Sequence, residues 1–320
     1  MAAANSVLRR ALLYVPGSSQ KMLDKSRGLS VDCIAYDLED SVTASKKPEA
    51  RTNIRRFLQT RSAGVRENAV RINAVDSGLA LDDLTAVLKT PGLDTIIVSK
   101  ANSPSDLIFV TDVIRHTLPE RHTKDPSKAT APPINILALV ESARAVTDIT
   151  SICRSSPYLS GLIFAAEDFA LDLSLTRTPS LLEFLFARSA IATACRAYNL
   201  PSTIDLVCTS YRGVEGQQRL KEECIGGKGL GFNGKQCIHP GQVEVIQDAF
   251  APSVEELQWA VRITTADQKA EQRGRGAWTL DSQMIDAPVV GKARSIVRKA
   301  EACGLEVASV KEKWKDQEPE

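Results

Sequence analysis

Short β-rich runs alternate with longer segments of helical periodicity along most of the chain. Eight such runs can be counted: Ala11 to Pro16, Cys33 to Leu38, Ala69 to Asn73, Thr95 to Ser99, Ile134 to Glu141, Leu162 to Ala166, Ser202 to Val207 and Gly231 to Ile238. Between them lie helical patterns such as Lys46 to Gln59, Leu79 to Lys89, Ala143 to Arg154 and Leu181 to Tyr198, with Pro48, Pro104 and Pro179 suited to first helical turns. Strands separated by helices pair in parallel, and continuous apolar runs such as Ile134 to Val140 suit strands buried on both faces. Eight βα units in one chain imply an α/β fold, a closed (β/α)8 TIM barrel. The competing doubly wound open sheet normally carries a G-x-G-x-x-G turn after its first strand, where this chain has Pro16-Gly17-Ser18-Ser19.

The pattern changes after the eighth unit. Residues 1–250 are expected to form the catalytic barrel, 251–310 a helical extension, and 311–320, nearly all charged or polar, a solvated tail. Within the extension, Val254 to Gln272 reads as a long helix, Arg273 to Gly276 as a Gly-rich hinge leading into Ala277 to Asp286, and Pro288 to Ala302 as an amphipathic helix. A helix added to a finished barrel has little left to pack on within its own chain, so it is expected to cover a neighbouring subunit. Before the fifth strand, Glu120 to Pro133 reads as a polar loop.

Composition narrows the function classes. With 320 residues, 43% of them hydrophobic, the chain can bury one large core. A net charge of +1 lacks the basic field that nucleic acid demands, so no nucleic-acid partner is expected. Seven cysteines scattered through apolar stretches, with no C-x-x-C pair, suit reduced core residues, and three distant histidines offer no zinc helix. Any metal should therefore be held by oxygen. There is no run of eighteen apolar residues, and Met1 to Leu8 is too short and too weakly apolar for a secretory segment, so no membrane partner is expected. A cytoplasmic location is expected; Arg9 and Arg10, with no acid before Asp24, either end a truncated mitochondrial presequence or belong to the first strand.

In a barrel, every residue at a strand's carboxyl end faces one bowl. The runs ending at Glu141 and at Glu167-Asp168 bring carboxylates there about one strand-helix repeat apart. Two such carboxylates suit a hard cation, because Mg²⁺ takes one or two of them and completes its shell with water and substrate oxygens; each acid taken alone also suits a helix N-cap. Asp37, Glu39, Asp40, Arg71, Asn73, Lys100 and Asp205 are expected in the same bowl. Lys100 and Asp205 suit an internal salt bridge as well as catalysis. Arg71 suits a planar carboxylate or a developing oxyanion, or else pairing with Glu39 or Asp40.

These residues also carry a resemblance. Leu13-Tyr-Val-Pro-Gly17, Val31-Asp-Cys-Ile-Ala-Tyr-Asp-Leu-Glu-Asp40, Lys46-Lys-Pro-Glu-Ala-Arg51, Val70-Arg-Ile-Asn73, Leu139-Val-Glu-Ser-Ala143, Glu167-Asp-Phe169, Gly231-Phe-Asn-Gly-Lys-Gln-Cys-Ile-His-Pro240 and Gly276-Ala-Trp-Thr-Leu-Asp-Ser-Gln-Met-Ile-Asp286 resemble, in unbroken order over roughly residues 9–305, the citrate lyase β-subunit (CitE-like) family. The chain most resembles its stand-alone members that cleave citramalyl-CoA or malyl-CoA. The resemblance implies Mg²⁺ on Glu141 and Asp168, Arg71 and Glu167 at the substrate, and a homotrimer in which Asp286 of one chain reaches the active site of the next. Asp286 also suits an ordinary helix cap before Pro288. One departure stands out: Ala165-Ala166 replaces glycine, and a Cβ there crowds an oxoacid carboxylate.

The implied enzyme is a Mg²⁺-dependent acyl-CoA lyase that splits a 3-hydroxyacyl-CoA into a 2-oxoacid and acetyl-CoA by retro-Claisen chemistry, with condensation or thioester hydrolysis on the same scaffold. The alternatives are a citrate lyase β subunit acting on an acyl-carrier-protein thioester, and a non-catalytic acyl-CoA-binding barrel. For the CoA phosphates, Lys21, Lys46, Lys47 and Arg51 are available near the rim, though each suits a solvated helix face better. Gly226-Gly-Lys-Gly229 lacks Walker spacing and reads as a helix C-cap and turn.

Overall fold

The computed structural model describes residues 7–122, 127, 129 and 131–320. The polar loop expected over Glu120 to Pro133 therefore lies partly outside the described residues, as does most of Met1 to Leu8. The chain divides into two compact units, Met1–Gln247 and Asp248–Glu320.

In the first unit, β1 (Ala11–Pro16), β2 (Val31–Asp37), β3 (Val65–Ile72), β4 (Thr95–Val98), β5 (Asn135–Val140), β6 (Leu159–Phe164), β7 (Ser202–Asp205) and β8 (Gly234–Cys237) close into a barrel in chain order. All neighbours are parallel, and β8 returns to β1 through Leu12↔Gln236. The intervening helices are α1 (Gln20–Ser26), α2 (Lys47–Phe57), α3 (Ala80–Val87), α4 (Pro104–Thr117), α5 (Ala143–Thr147), α6 (Ile149–Arg154), α7 (Ala166–Asp172), α8 (Leu185–Ala197) and α9 (Gly213–Leu230). Pro48 and Pro104 occupy the first turns of α2 and α4, where a missing N–H costs nothing, and Ser103 and Asp106 form a capping box on α4. Pro179 precedes instead a short 3₁₀ turn, Leu182–Phe184, because Leu181 adopts a left-handed φ of 55°. Gly226 to Gly229 sit inside α9 rather than in a turn; its C-cap is Gly231, at φ 99°.

Side chains alternate strictly along the strands. Leu12, Cys33, Ala35, Ala69, Ile97, Leu137, Leu139, Ile163 and Ile204 form one buried cluster, which fills the barrel interior. At the amino-terminal end of the barrel, Arg9 grips Glu67 through two hydrogen bonds of 2.6 and 2.7 Å and bonds Ser202 Oγ at 2.8 Å. Arg10 similarly holds Asp32 at 2.8 and 3.0 Å. Both arginine side chains are thus built into the barrel.

The second unit holds α11 (Val254–Gln272), a hairpin of β9 (Trp278–Leu280) and β10 (Gln283–Ile285), α12 (Ala287–Ala302) and α13 (Val307–Lys313), following α10 (Val243–Phe250), which spans the division. Its core is a separate apolar cluster around Leu257, Val261, Trp278, Ile285 and Val297. Residues 311–320, expected as a solvated tail, are mostly exposed, and the segment is tied to the unit at several points. Val307, Val310 and Trp314 pack on that cluster, Glu318 pairs with Lys269 and Arg273 at 2.7 Å each, and Glu320 exchanges two backbone hydrogen bonds with Thr279. The physical reason is a helical apolar spacing of three and four residues inside a mostly charged segment. No described helix is long and apolar enough to cross a membrane.

Candidate active site

Alternation decides which polar groups reach the barrel mouth. In β2, β3 and β5 the buried interior positions Ala35, Ala69 and Leu139 are followed two residues later by Asp37, Arg71 and Glu141, which therefore point inward above the core. The same parity corrects the expectation for Asp205. Ile204 points inward, so Asp205 turns outward to Arg188 of α8, at 3.1 and 2.6 Å. A Cβ on Gly227 of α9 would collide with the Asp205 carboxylate, so glycine there makes room for the pair.

A cavity of about 420 Å³ opens at this mouth, lined among others by Tyr14, Asp37, Arg71, Ala165, Glu167 and Asp168. Arg71 holds Asp37 in a fork, Nε to Oδ1 at 2.6 Å and Nη2 to Oδ2 at 2.7 Å. Its remaining arm lies 3.0 Å from Glu39 and 3.3 Å from Asp40, and its guanidinium stands 4.6 Å over the Tyr14 ring. The pairing alternative for Arg71 is thus realised while the side chain still lines the cavity. Burial would raise the Asp37 carboxyl, but hydrogen bonds from Arg71, Ser41 and the Glu39 N–H outweigh it and hold the group below its ordinary value. Asp40 is more than half exposed, so it is the Arg71 partner that an incoming anion can most easily displace.

Glu141, 4% exposed, accepts a hydrogen bond of 3.0 Å from the Lys100 N–H. The Lys100 ammonium lies 3.5 Å from Glu39 and 3.7 Å from Asp168. Lys100 itself follows β4 with a left-handed φ of 49°, a conformation that costs a non-glycine residue energy and persists where its surroundings hold it. Burial pushes the Glu141 carboxyl up to about 7, with the Asp168 charge adding to the shift. Burial likewise pushes Glu39 up to about 8 against the pull of Arg71, whose ion pair at 3.0 Å is the contact of the buried Glu39 Oε2. Acids held neutral-leaning around a tethered ammonium mark a place where added positive charge is favourable. Among the described residues no three His, Cys, Asp or Glu side chains enclose an ion by themselves. The carboxylates of Glu141 and Asp168 are of the kind that could hold a hard divalent ion keeping water or taking substrate oxygens.

The other expected site residues are placed differently. Glu167 lines the cavity, but its carboxylate pairs with Arg177. Lys21 is exposed in the first turn of α1, Lys46 pairs with Glu49 at 2.6 Å, and Arg51 is drawn to Asp83 at 2.6 Å and Asp82 at 3.2 Å, tying α2 to α3. Lys47 ties the β2 exit together through the Leu38 and Glu39 carbonyls and Asn73. Asp286 belongs to the second unit, where it caps α12 by accepting the Val289 N–H at 3.2 Å. Ala165 directs its N–H to the Val140 carbonyl, and its methyl packs on the interior cluster.

Three groups escaped the sequence reading. Tyr14 donates to Gln236 at 2.9 Å, and Gln236 donates to the Phe164 and Asp205 carbonyls at 2.8 and 3.1 Å, linking β1, β6, β7 and β8 below the cavity. Both residues are polar at inward-parity positions, a signal available from the strand register. Arg177 lies in an irregular loop, where no periodicity pointed to it.

Known proteins resemble this chain in sequence and in fold. The profile of the HpcH/HpaI aldolase/citrate lyase family matches residues 10–240. A human protein named citramalyl-CoA lyase, mitochondrial, is 34% identical over 95% of this chain and 87% of its own length. A (3S)-malyl-CoA thioesterase of Cereibacter sphaeroides is 31% identical over 92% of the chain and 95% of its length. The crystal structure of CitE from Mycobacterium tuberculosis, in complex with magnesium, acetoacetate and coenzyme A, superposes with a TM-score of 0.70 at 27% identity, covering 92% of this chain and 99% of that one.

Proposed function

The chain belongs to the HpcH/HpaI aldolase/citrate lyase family, and from that footing we propose that it is a Mg²⁺-dependent carbon–carbon lyase. Its substrate is a 3-hydroxyacyl-CoA such as citramalyl-CoA or malyl-CoA, and its products are a 2-oxoacid and acetyl-CoA. The observation that carries this reading is that Asp168 and Arg71 line one cavity at the carboxyl end of the barrel, while Lys100 links Asp168 to the buried Glu141, its ammonium 3.7 Å from the first and its N–H bonded to the second. Glu141 and Asp168 would hold the ion. Bound there, Mg²⁺ supplies Lewis acidity toward the substrate hydroxyl oxygen and the ketone oxygen that replaces it, and a template for the oxoacid carboxylate.

The residues of the chain divide the remaining work. Arg71, fixed by Asp37 and Tyr14, presents the arm now turned to Asp40 to the substrate carboxylate and stabilises charge that develops on oxygen. In the reaction the hydroxyl loses its proton, the bond between the hydroxyl-bearing carbon and the acyl α-carbon breaks, and the enolate of acetyl-CoA takes a proton at carbon. Asp286, delivered by a neighbouring chain of a homotrimer, is the group assigned to that proton. Its Oδ1 serves the α12 cap, which orients the carboxylate and leaves the second oxygen for proton transfer. Lys21 in α1 remains the residue assigned to the CoA phosphates, while Lys46 and Arg51 are engaged by acids of their own helices and of α3.

Purified protein given citramalyl-CoA or malyl-CoA tests this directly. Release of a 2-oxoacid is expected with Mg²⁺, should stop on chelation with EDTA and return with added Mg²⁺, and should fall by about 10²–10⁴-fold in Asp286→Asn. Binding of acyl-CoA without turnover, or turnover only of a carrier-protein thioester, would overturn the proposal.

A further inference from the structure

The helix that carries Asp168 starts without a side-chain cap, its first turn held from below by buried Ala166 and Phe169. α7 has seven residues, its N-cap is Ala165, and no side chain caps its first turn. Such a start leaves backbone donors unsatisfied and frays easily. Yet Asp168 sits in that turn, and a metal ligand must be held to a fraction of an ångström.

Arg177, in the loop that follows α7, ties the outer side of that turn to the barrel. Its Nη1 pairs with Glu167, the neighbour of Asp168 in the first turn. Its Nη2 donates to the Val207 carbonyl just past β7 and to Glu223 of α9, both at 3.0 Å. Glu223 is 7% exposed, and its other oxygen lies 3.0 Å from Lys235 Nζ, which is wholly buried on the outward face of β8. Neither Glu223 Oε2 nor Lys235 Nζ has a hydrogen-bond partner, so this ion pair is held by charge and burial. One planar guanidinium therefore joins the start of α7 to the exit of β7 and, through Glu223, to α9 and β8. The two ends differ in character: Glu167 is half exposed at the cavity, whereas Glu223 and Lys235 form a closed anchor.

We infer that Arg177 is a positioning residue that clamps the first turn of α7 onto the buried Glu223–Lys235 pair, and that Glu167 serves as the clamp's handle rather than as a substrate-binding group. The inference rests on the reading of Asp168 as a metal ligand and adds what fixes that ligand. Supporting groups behind a ligand typically change metal affinity 10–100-fold when removed. Lysine cannot replace the clamp, because one ammonium cannot reach separate partners with two fixed nitrogens.

Two readouts test it on the full chain. Mn²⁺ titration followed by electron paramagnetic resonance compares wild type with Arg177→Met, Arg177→Lys and Glu167→Ala; each variant is expected to bind about 10–100-fold more weakly, with Lys the mildest. Glu167→Ala leaves Arg177 on Val207 and Glu223, so it keeps the test valid if Arg177→Met does not fold. Amide hydrogen exchange over Phe169 to Asp172 is expected to quicken at least tenfold in Glu167→Ala, a change that needs no metal. Wild-type exchange rates in that variant would overturn the clamp. Faster exchange with unchanged Mn²⁺ affinity would overturn its role in positioning Asp168. A wild-type protein that takes up no Mn²⁺ removes the metal reading and the positioning role with it, and the exchange result then decides the clamp alone.

Discussion

Exchanging Glu141 for Gln is expected to lower oxoacid release by on the order of 10³-fold, while thermal stability changes by less than about 1 kcal/mol. The two halves of this expectation have separate causes. Gln has the shape of Glu and still accepts the Lys100 N–H, so the packing above the interior cluster survives. What disappears is a formal negative charge in a place where burial already makes charge expensive and where only a cation gives it a purpose. Loss of one charge-stabilising group typically costs about 10²–10³ in rate, and loss of a ligand removes both the template and the Lewis acid. Steady-state assays with saturating Mg²⁺, paired with thermal melts, check both halves. A folded variant with near-normal turnover would remove Glu141 from the mechanism.

At the opposite end of the barrel, Arg9→Met is expected to destabilise the fold by about 3–5 kcal/mol, a fall in melting midpoint of roughly 10 °C for a unit of this size. Arg9 is 3% exposed and Glu67 4%, and the fork between them, with Thr95 and Ser202, closes the barrel floor. Methionine fills much of the space but leaves a buried carboxylate without its counter-charge. The pH dependence follows from the same pair. Burial would raise the Glu67 carboxyl, but Arg9 outweighs it and holds the folded-state value below the ordinary one. The stabilisation is therefore present above the unfolded value and lost as pH falls through the depressed folded value, so the gap between wild type and variant narrows in acid. The double variant Arg9→Met with Glu67→Leu is expected to recover most of the loss, since apolar replacement of a whole buried pair is often close to neutral. Denaturant melts at neutral and acidic pH measure all of this, and a single variant as stable as wild type at neutral pH would contradict it.

The barrel was legible because each strand announces itself by composition and each helix by period. The eight strands fall within a few residues of their expected places, and α11 matches its expected span of Val254 to Gln272. Parity was equally available but carried less of the reading. Counting in twos from the apolar interior places Asp37, Arg71 and Glu141 inside and turns Asp205 and Lys235 outward, yet Asp205 was expected in the bowl because only its distance along the strand was considered. Long cations were the hardest to place. Arg51 and Lys46 sit near the rim in sequence, but a flexible side chain goes to the nearest fixed acid, here Asp83 and Glu49, and no local pattern shows which acid that is. Arg177 lay beyond reach for the same reason, since its partners come from α7, the β7 exit and α9. In the carboxyl-terminal decade the charged side chains are mostly exposed, as composition suggests, while Trp314 packs on the core and Glu318 pairs with α11 and the turn after it, contacts that composition does not show.

The claim on which the rest depends is that Glu141 and Asp168 bind one divalent ion at the carboxyl end of the barrel. Crystals of the protein soaked in Mn²⁺ and measured by anomalous X-ray scattering test it most directly. A single strong peak about 2.0–2.3 Å from a carboxylate oxygen of each residue is expected, with the Lys100 ammonium moved off Asp168. A peak elsewhere, or no peak with those two side chains still held by Lys100, would contradict it.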